Sequence, residues 1–69
     1  MREVVVTFQD EMVQRFAVDR PDLVDVYDRA CAGEFAAQRI VRQMVGERYR
    51  GAKVAAVRLV KVRRLTVDI

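Results

Sequence analysis

Histidine, tryptophan, serine and asparagine are absent from this sequence, and cysteine and proline occur once each, as Cys31 and Pro21. Each absence excludes a class of chemistry. Without serine or histidine no hydrolytic triad of the serine–histidine type can be assembled. A single cysteine forms no internal disulfide, and without histidine no cysteine–histidine cluster can hold a structural zinc. No run approaches the roughly 18–20 apolar residues that a membrane-spanning helix needs. The opening "MREVVVTF" mixes acid and base with its apolar residues, unlike a secretory signal. The expected setting is therefore reducing and cytoplasmic.

Charge is plentiful but uneven. The 69 residues carry a net charge of +3. Residues 1–34 hold twice as many acids as bases, whereas residues 35–69 hold only Glu47 and Asp68 against a long series of arginines and lysines. Such asymmetry predicts a polarised surface able to steer an anionic partner. At 52% apolar residues the chain can build a core, although one this small is marginal and gains from a partner.

Two periodicities organise the chain. "EVVVTF" (3–8) and "MVQRFAV" (12–18) alternate as strands, joined by a polar turn at "QDE". Val4, Val6, Phe8, Met12, Phe16 and Val18 are expected to share the buried face. Leu23, Val26, Tyr27, Ala30 and Cys31 then follow the spacing of an amphipathic helix. Pro21 suits its first turn, and Asp19 or Asp22 suits its cap. "LVDVY" alone would also read as a short strand. Gly33 either ends this helix or kinks a longer one. A second apolar stripe, Ala37, Ile40, Val41, Met44 and Val45, continues the helical pattern to residue 48, and Gly51 marks a chain reversal. From Ala52 to Ile69 the sequence reads as strand, with Ala55, Val57 and Leu59 on one face, Val60 and Val62 on the other, and Leu65, Val67 and Ile69 back on the first.

The expectation is a single α+β domain over 1–69: an N-terminal β-hairpin, one kinked or two consecutive helices, and a long C-terminal strand, bent or split, with the helices on one face of an antiparallel sheet. Eighteen extended residues would reach roughly 60 Å at about 3.3 Å each, which a domain of this size cannot hold as one straight strand. "LVKVRRL" has none of the usual tight-turn residues. The expectation is therefore a bulged strand whose residues 61–69 form a subunit-exchanging arm, giving a homodimer through Leu65, Val67 and Ile69. A loop centred on Arg63 that folds the tail back is the alternative.

Nothing in the sequence points to catalysis. Cys31 lies on the buried stripe and has no histidine to activate it. "GERYRGAK" (46–53) superficially matches a phosphate-binding loop, but its lysine is one place late and it follows a helix rather than a strand. Asp19, Asp22, Asp25 and Asp28 recur every three residues, a spacing that spreads them around a helix rather than gathering them for a cation. No catalytic residue, metal, cofactor or small-molecule substrate is expected. The broad remaining signal is basic: Arg39, Arg42, Arg48, Arg50, Lys61, Arg63 and Arg64, with Lys53 and Arg58, form a candidate surface for nucleic acid or an acidic partner. Phe35 and Tyr49 are the rings left for base stacking.

Small size, arginine-rich composition and the missing catalytic types resemble small bacteriophage accessory proteins. That resemblance rests on no motif, and implies binding to a host component. The function expected is a non-enzymatic protein-interaction module, an inhibitor or adaptor; the alternative is a nucleic-acid-binding regulator that uses the basic C-terminal half.

Overall fold

The computed structural model describes residues 2–69. Its elements in order are β1 (Glu3–Phe8), β2 (Val13–Ala17), α1 (Pro21–Cys31), α2 (Phe35–Arg48), β3 (Val54–Val62) and β4 (Leu65–Asp68). The four strands make one antiparallel sheet in the order β2-β1-β3-β4. Both helices pack on one face, so this is the α+β architecture that the two periodicities predict.

Alternation decides which face is buried. Val4 and Val6 of β1 pair across the sheet with Leu59 and Val57 of β3, and all four are shielded from solvent. Tyr27 and Ala30 of α1 and Ala37, Val41 and Val45 of α2 close over them. Phe8, Phe16, Leu23, Val26 and Cys31 pack at the margin of this core, as expected from their stripes. Two of the expected core residues lie elsewhere. Met12 is 57% exposed, because the loop ends at it and β2 starts one residue later. Ile40 is 41% exposed. The buried line of α2 follows i, i+4, i+8 through Ala37, Val41 and Val45, which puts Ile40 off its edge. Ala55 is exposed because the register between β1 and β3 shifts there: Phe8 pairs with Val54, which packs against the core in its place.

The helices are two, not one. Gly33 has φ +93°, a left-handed conformation that ends α1 after Cys31. The cap of α1 is Arg20 rather than an aspartate, and it makes no side-chain capping bond; Asp22 lies in the first turn and binds the Arg20 guanidinium at 2.9 Å. Gly33→Ala is expected to lower stability by about 1–2 kcal/mol, since an L side chain is strained at this backbone angle. Chemical denaturation of the two proteins would measure it. The β1–β2 turn contains another left-handed residue, Glu11 at φ +71°, braced by the Met12 amide donating to Asp10 Oδ1 at 3.1 Å.

The tail does turn back within its own chain. Arg63 and Arg64 form a two-residue turn, and β4 pairs with β3 through Leu59↔Val67 and Arg58↔Asp68. The expected excursion of 61–69 to another subunit is replaced by a hairpin. Neither turn residue has a positive φ, so this is not one of the glycine- or asparagine-dependent hairpin turns. A turn with negative φ accepts most residues, and its mismatch with strand twist is absorbed by a register shift between Val60 and Val62. Val67 and Ile69 pack half-buried against the chain's own core, and the Ile69 amide donates to the Val57 carbonyl at 3.0 Å. The molecule measures 29 × 25 × 20 Å, too short for the eighteen-residue strand and long enough for the nine residues of β3.

Candidate docking surface

Ion pairing sorts the charged residues. Arg2 holds Asp28 through two hydrogen bonds, at 2.9 and 3.1 Å. Arg29 grips Glu34 at 2.5 Å and Asp25 at 3.3 Å. Arg15 meets Glu3 at 3.5 Å across β1 and β2, and Arg58 meets Asp68 at 2.7 Å across β3 and β4. The Arg2 guanidinium beside Asp28, and Arg29 beside Glu34, hold those carboxyls below their usual range. The aspartates of α1 are thus consumed by arginines rather than gathered for a cation: Asp22, Asp25 and Asp28 each have their own partner. Among the described residues no group of three carboxylate or thiol side chains converges on a metal position.

Arg39, Arg42, Arg48, Arg50, Lys53, Lys61, Arg63 and Arg64 have no carboxylate partner among the described residues. They do not form one continuous field. Phe8, at the end of β1, packs edge-on against Tyr49 with ring centroids 5.2 Å apart, which places Arg48, Arg50 and Lys53 at that end of the sheet. Glu3, at the other end of β1, lies opposite Val60, which places Lys61, Arg63 and Arg64 at the far end. Arg39 and Arg42 lie on the exposed side of α2.

The aromatic residues divide in the same way. Tyr49 is not a free ring: it packs on Phe8 and Phe16, and the Arg48 guanidinium lies 4.5 Å from the centroid of Phe16. Arg48 is therefore engaged as a cation over an aromatic face. Phe35 alone of the two rings stays open, at 72% exposure, with Arg39 5.9 Å from its centroid.

The β3–β4 turn end has a different character. Val62 and Leu65 face each other across the hairpin and are 54% and 61% exposed. Lys61, Arg63 and Arg64 surround them. On the open face of the sheet, Glu3, Arg15, Val60, Lys61, Val62 and Arg63 line a recess of about 560 Å³ that opens broadly to solvent. Its floor is valine and its rim is cationic, with the single acid already held by Arg15. The sequence reading put Lys61, Arg63, Arg64 and Leu65 here but missed Val62 and Val60. Alternation had placed those two valines on the face away from the helices, and that was the available signal.

Behind the recess, α1 is tied to the sheet by Tyr27. Its hydroxyl donates to the Val60 carbonyl and lies 3.3 Å from the carbonyl of Glu3. Burial pushes this phenol up to about 12. Burial also raises the neighbouring Cys31 thiol, which makes it a poor nucleophile.

No helix among the described residues is long and apolar enough to cross a membrane. Comparison with protein-family models, with curated proteins and with solved structures finds no match for this chain.

Proposed function

We propose that this chain is a protein-interaction module without chemistry of its own, an inhibitor or adaptor that binds an acidic partner protein through the β3–β4 turn end. The observation that most supports the reading is the exposed Val62–Leu65 pair set among the unpartnered Lys61, Arg63 and Arg64. Apolar side chains beside cations suit a protein surface that mixes leucine-type residues with carboxylates; the apolar pair supplies desolvation and the cations supply orientation and on-rate. The recess is open rather than enclosing, which suits docking better than a small substrate. The expected setting is the cytoplasm, where a lone thiol stays reduced. The resemblance to small bacteriophage accessory proteins favours a host component as the partner.

The test is capture of partners by the tagged protein from its native lysate after nuclease treatment, beside the Lys61→Glu/Arg63→Glu variant. The reading expects a protein retained by the wild type and reduced roughly tenfold or more by the double reversal. Capture that disappears with nuclease would overturn it.

A nucleic-acid-binding regulator is the second reading, favoured by the open Phe35 ring beside Arg39 and Arg42 on α2. It requires binding to DNA or RNA that weakens steeply as salt rises. Fluorescence polarisation with no binding to either at low salt removes it.

A further inference from the structure

We propose that the outer edge of β4 pairs with the same edge of a second copy, antiparallel about a two-fold axis at Thr66, joining two sheets into one. This extends the reading above without depending on it. The strand order leaves β2 and β4 as the edges of the sheet. β4 carries neither the proline nor the lysine that commonly blocks an edge. The Ile69 amide donates to Val57 of β3. By alternation Val67 also directs its backbone groups to β3, whereas Thr66 and Asp68 direct theirs outward.

Symmetry restricts the register. Hydrogen-bonded and non-hydrogen-bonded pairs alternate along an antiparallel ladder, and pairs related by the two-fold must be alike, so one residue must oppose its own copy. With Thr66 on the axis, Leu65 lies opposite Val67 of the other copy, and Arg64 lies opposite its Asp68. Arg64 has no carboxylate partner within its own chain. Asp68 uses Oδ1 to accept from Arg58 at 2.7 Å and has its other oxygen left for a second guanidinium. The pairing therefore matches an unpartnered cation with a half-used carboxylate, twice. It also sets Leu65, which is 61% exposed in the single chain, beside Val67 of the other copy.

The other edge lacks this complementarity. Self-pairing of β2 over its full length sets Arg15 against Arg15 of the second copy, and like charges directly opposite are unfavourable. The two-fold through β4 stands normal to the sheet. Both valine-floored recesses then lie on one open face, so the assembled pair engages a repeated or dimeric partner twice. Four residues of edge make a small interface, and dissociation is expected in the high micromolar range.

The experiment is light scattering on the full chain across concentration, with disulfide trapping in a Cys31→Ala background. Thr66→Cys should cross-link to its own copy under mild oxidation, while Ala17→Cys on β2 should not. Arg64→Asp should weaken the dimer roughly tenfold, and Arg64→Asp combined with Asp68→Arg should restore it. A monomer at high micromolar concentration, cross-linking through Ala17→Cys instead of Thr66→Cys, or a double variant no tighter than Arg64→Asp would each overturn the proposal. Circular dichroism of every variant checks that the fold is retained.

Discussion

Leu59→Ala should unfold much of the population at room temperature. Leu59 sits in the middle of the sheet, paired with Val4 on one side and Val67 on the other, and is fully shielded. Removing its side chain forfeits the transfer energy of three carbons and leaves a void that flanking strands cannot close, at about 3–5 kcal/mol. A domain of this size has little more than that in total. Ile40→Ala serves as the contrast. At 41% exposure its truncation should cost about 1 kcal/mol or less, although Ile40 belongs to the apolar stripe of α2. Urea melts of the two variants decide the matter. If Ile40→Ala proved the more damaging, α2 would be packing on a different face.

Tyr27→Ala should be nearly as severe, at about 3–5 kcal/mol, because it removes a buried ring and the bond that ties α1 to the sheet. Tyr27→Phe separates these effects. It keeps the ring and loses only the hydroxyl's bond to the Val60 carbonyl, which still faces Glu3 in the ladder, at about 1 kcal/mol. The hydroxyl adds a pH dependence. Its folded pKa, about 12, exceeds the ordinary phenol value of 10.0. The stabilising neutral form is thus fully present below pH 10 and is lost as pH rises through 12. The Cys31 thiol, also raised by burial, acts in the same direction from its own lower ordinary value. Thermal melts from neutral to strongly alkaline pH should show a steeper loss for the wild type than for Tyr27→Phe. Equal slopes would mean that Tyr27 titrates freely.

The parts of the fold visible in the sequence are those set by short-range periodicity. Val4 and Val6 alternate with Val5 and Thr7, and a strand with one buried face must then place the first pair inward. Tyr27 and Ala30 recur at helical spacing and meet the sheet as expected. The candidate surface was half visible. Lys61, Arg63 and Arg64 stand out as cations in a run of apolar residues, but cations alone do not reveal which of them are neutralised. Arg58 looks the same in sequence and is held by Asp68 ten residues later. Tyr49 looks like a free ring and is packed on Phe8 and Phe16.

Local pattern suffices for the class of the fold, the two-sided character of its strands, the helical identity of residues 21–48 apart from the break at Gly33, and the exclusion of a serine–histidine triad and an internal disulfide. Those follow from residue type and spacing, which act within a few positions of the chain. Long-range packing settles the rest: the tail folds back at Arg63–Arg64, Ile40 and Met12 lie outside the core, and the unpartnered cations separate into the two ends of the sheet and the exposed side of α2. Each of these depends on what lies across from a residue once the chain has closed. The turn forms because β3 offers β4 a complete ladder and the bulge absorbs the mismatch in twist. A cation is free or neutralised according to a carboxylate delivered by another strand, and no local pattern records that.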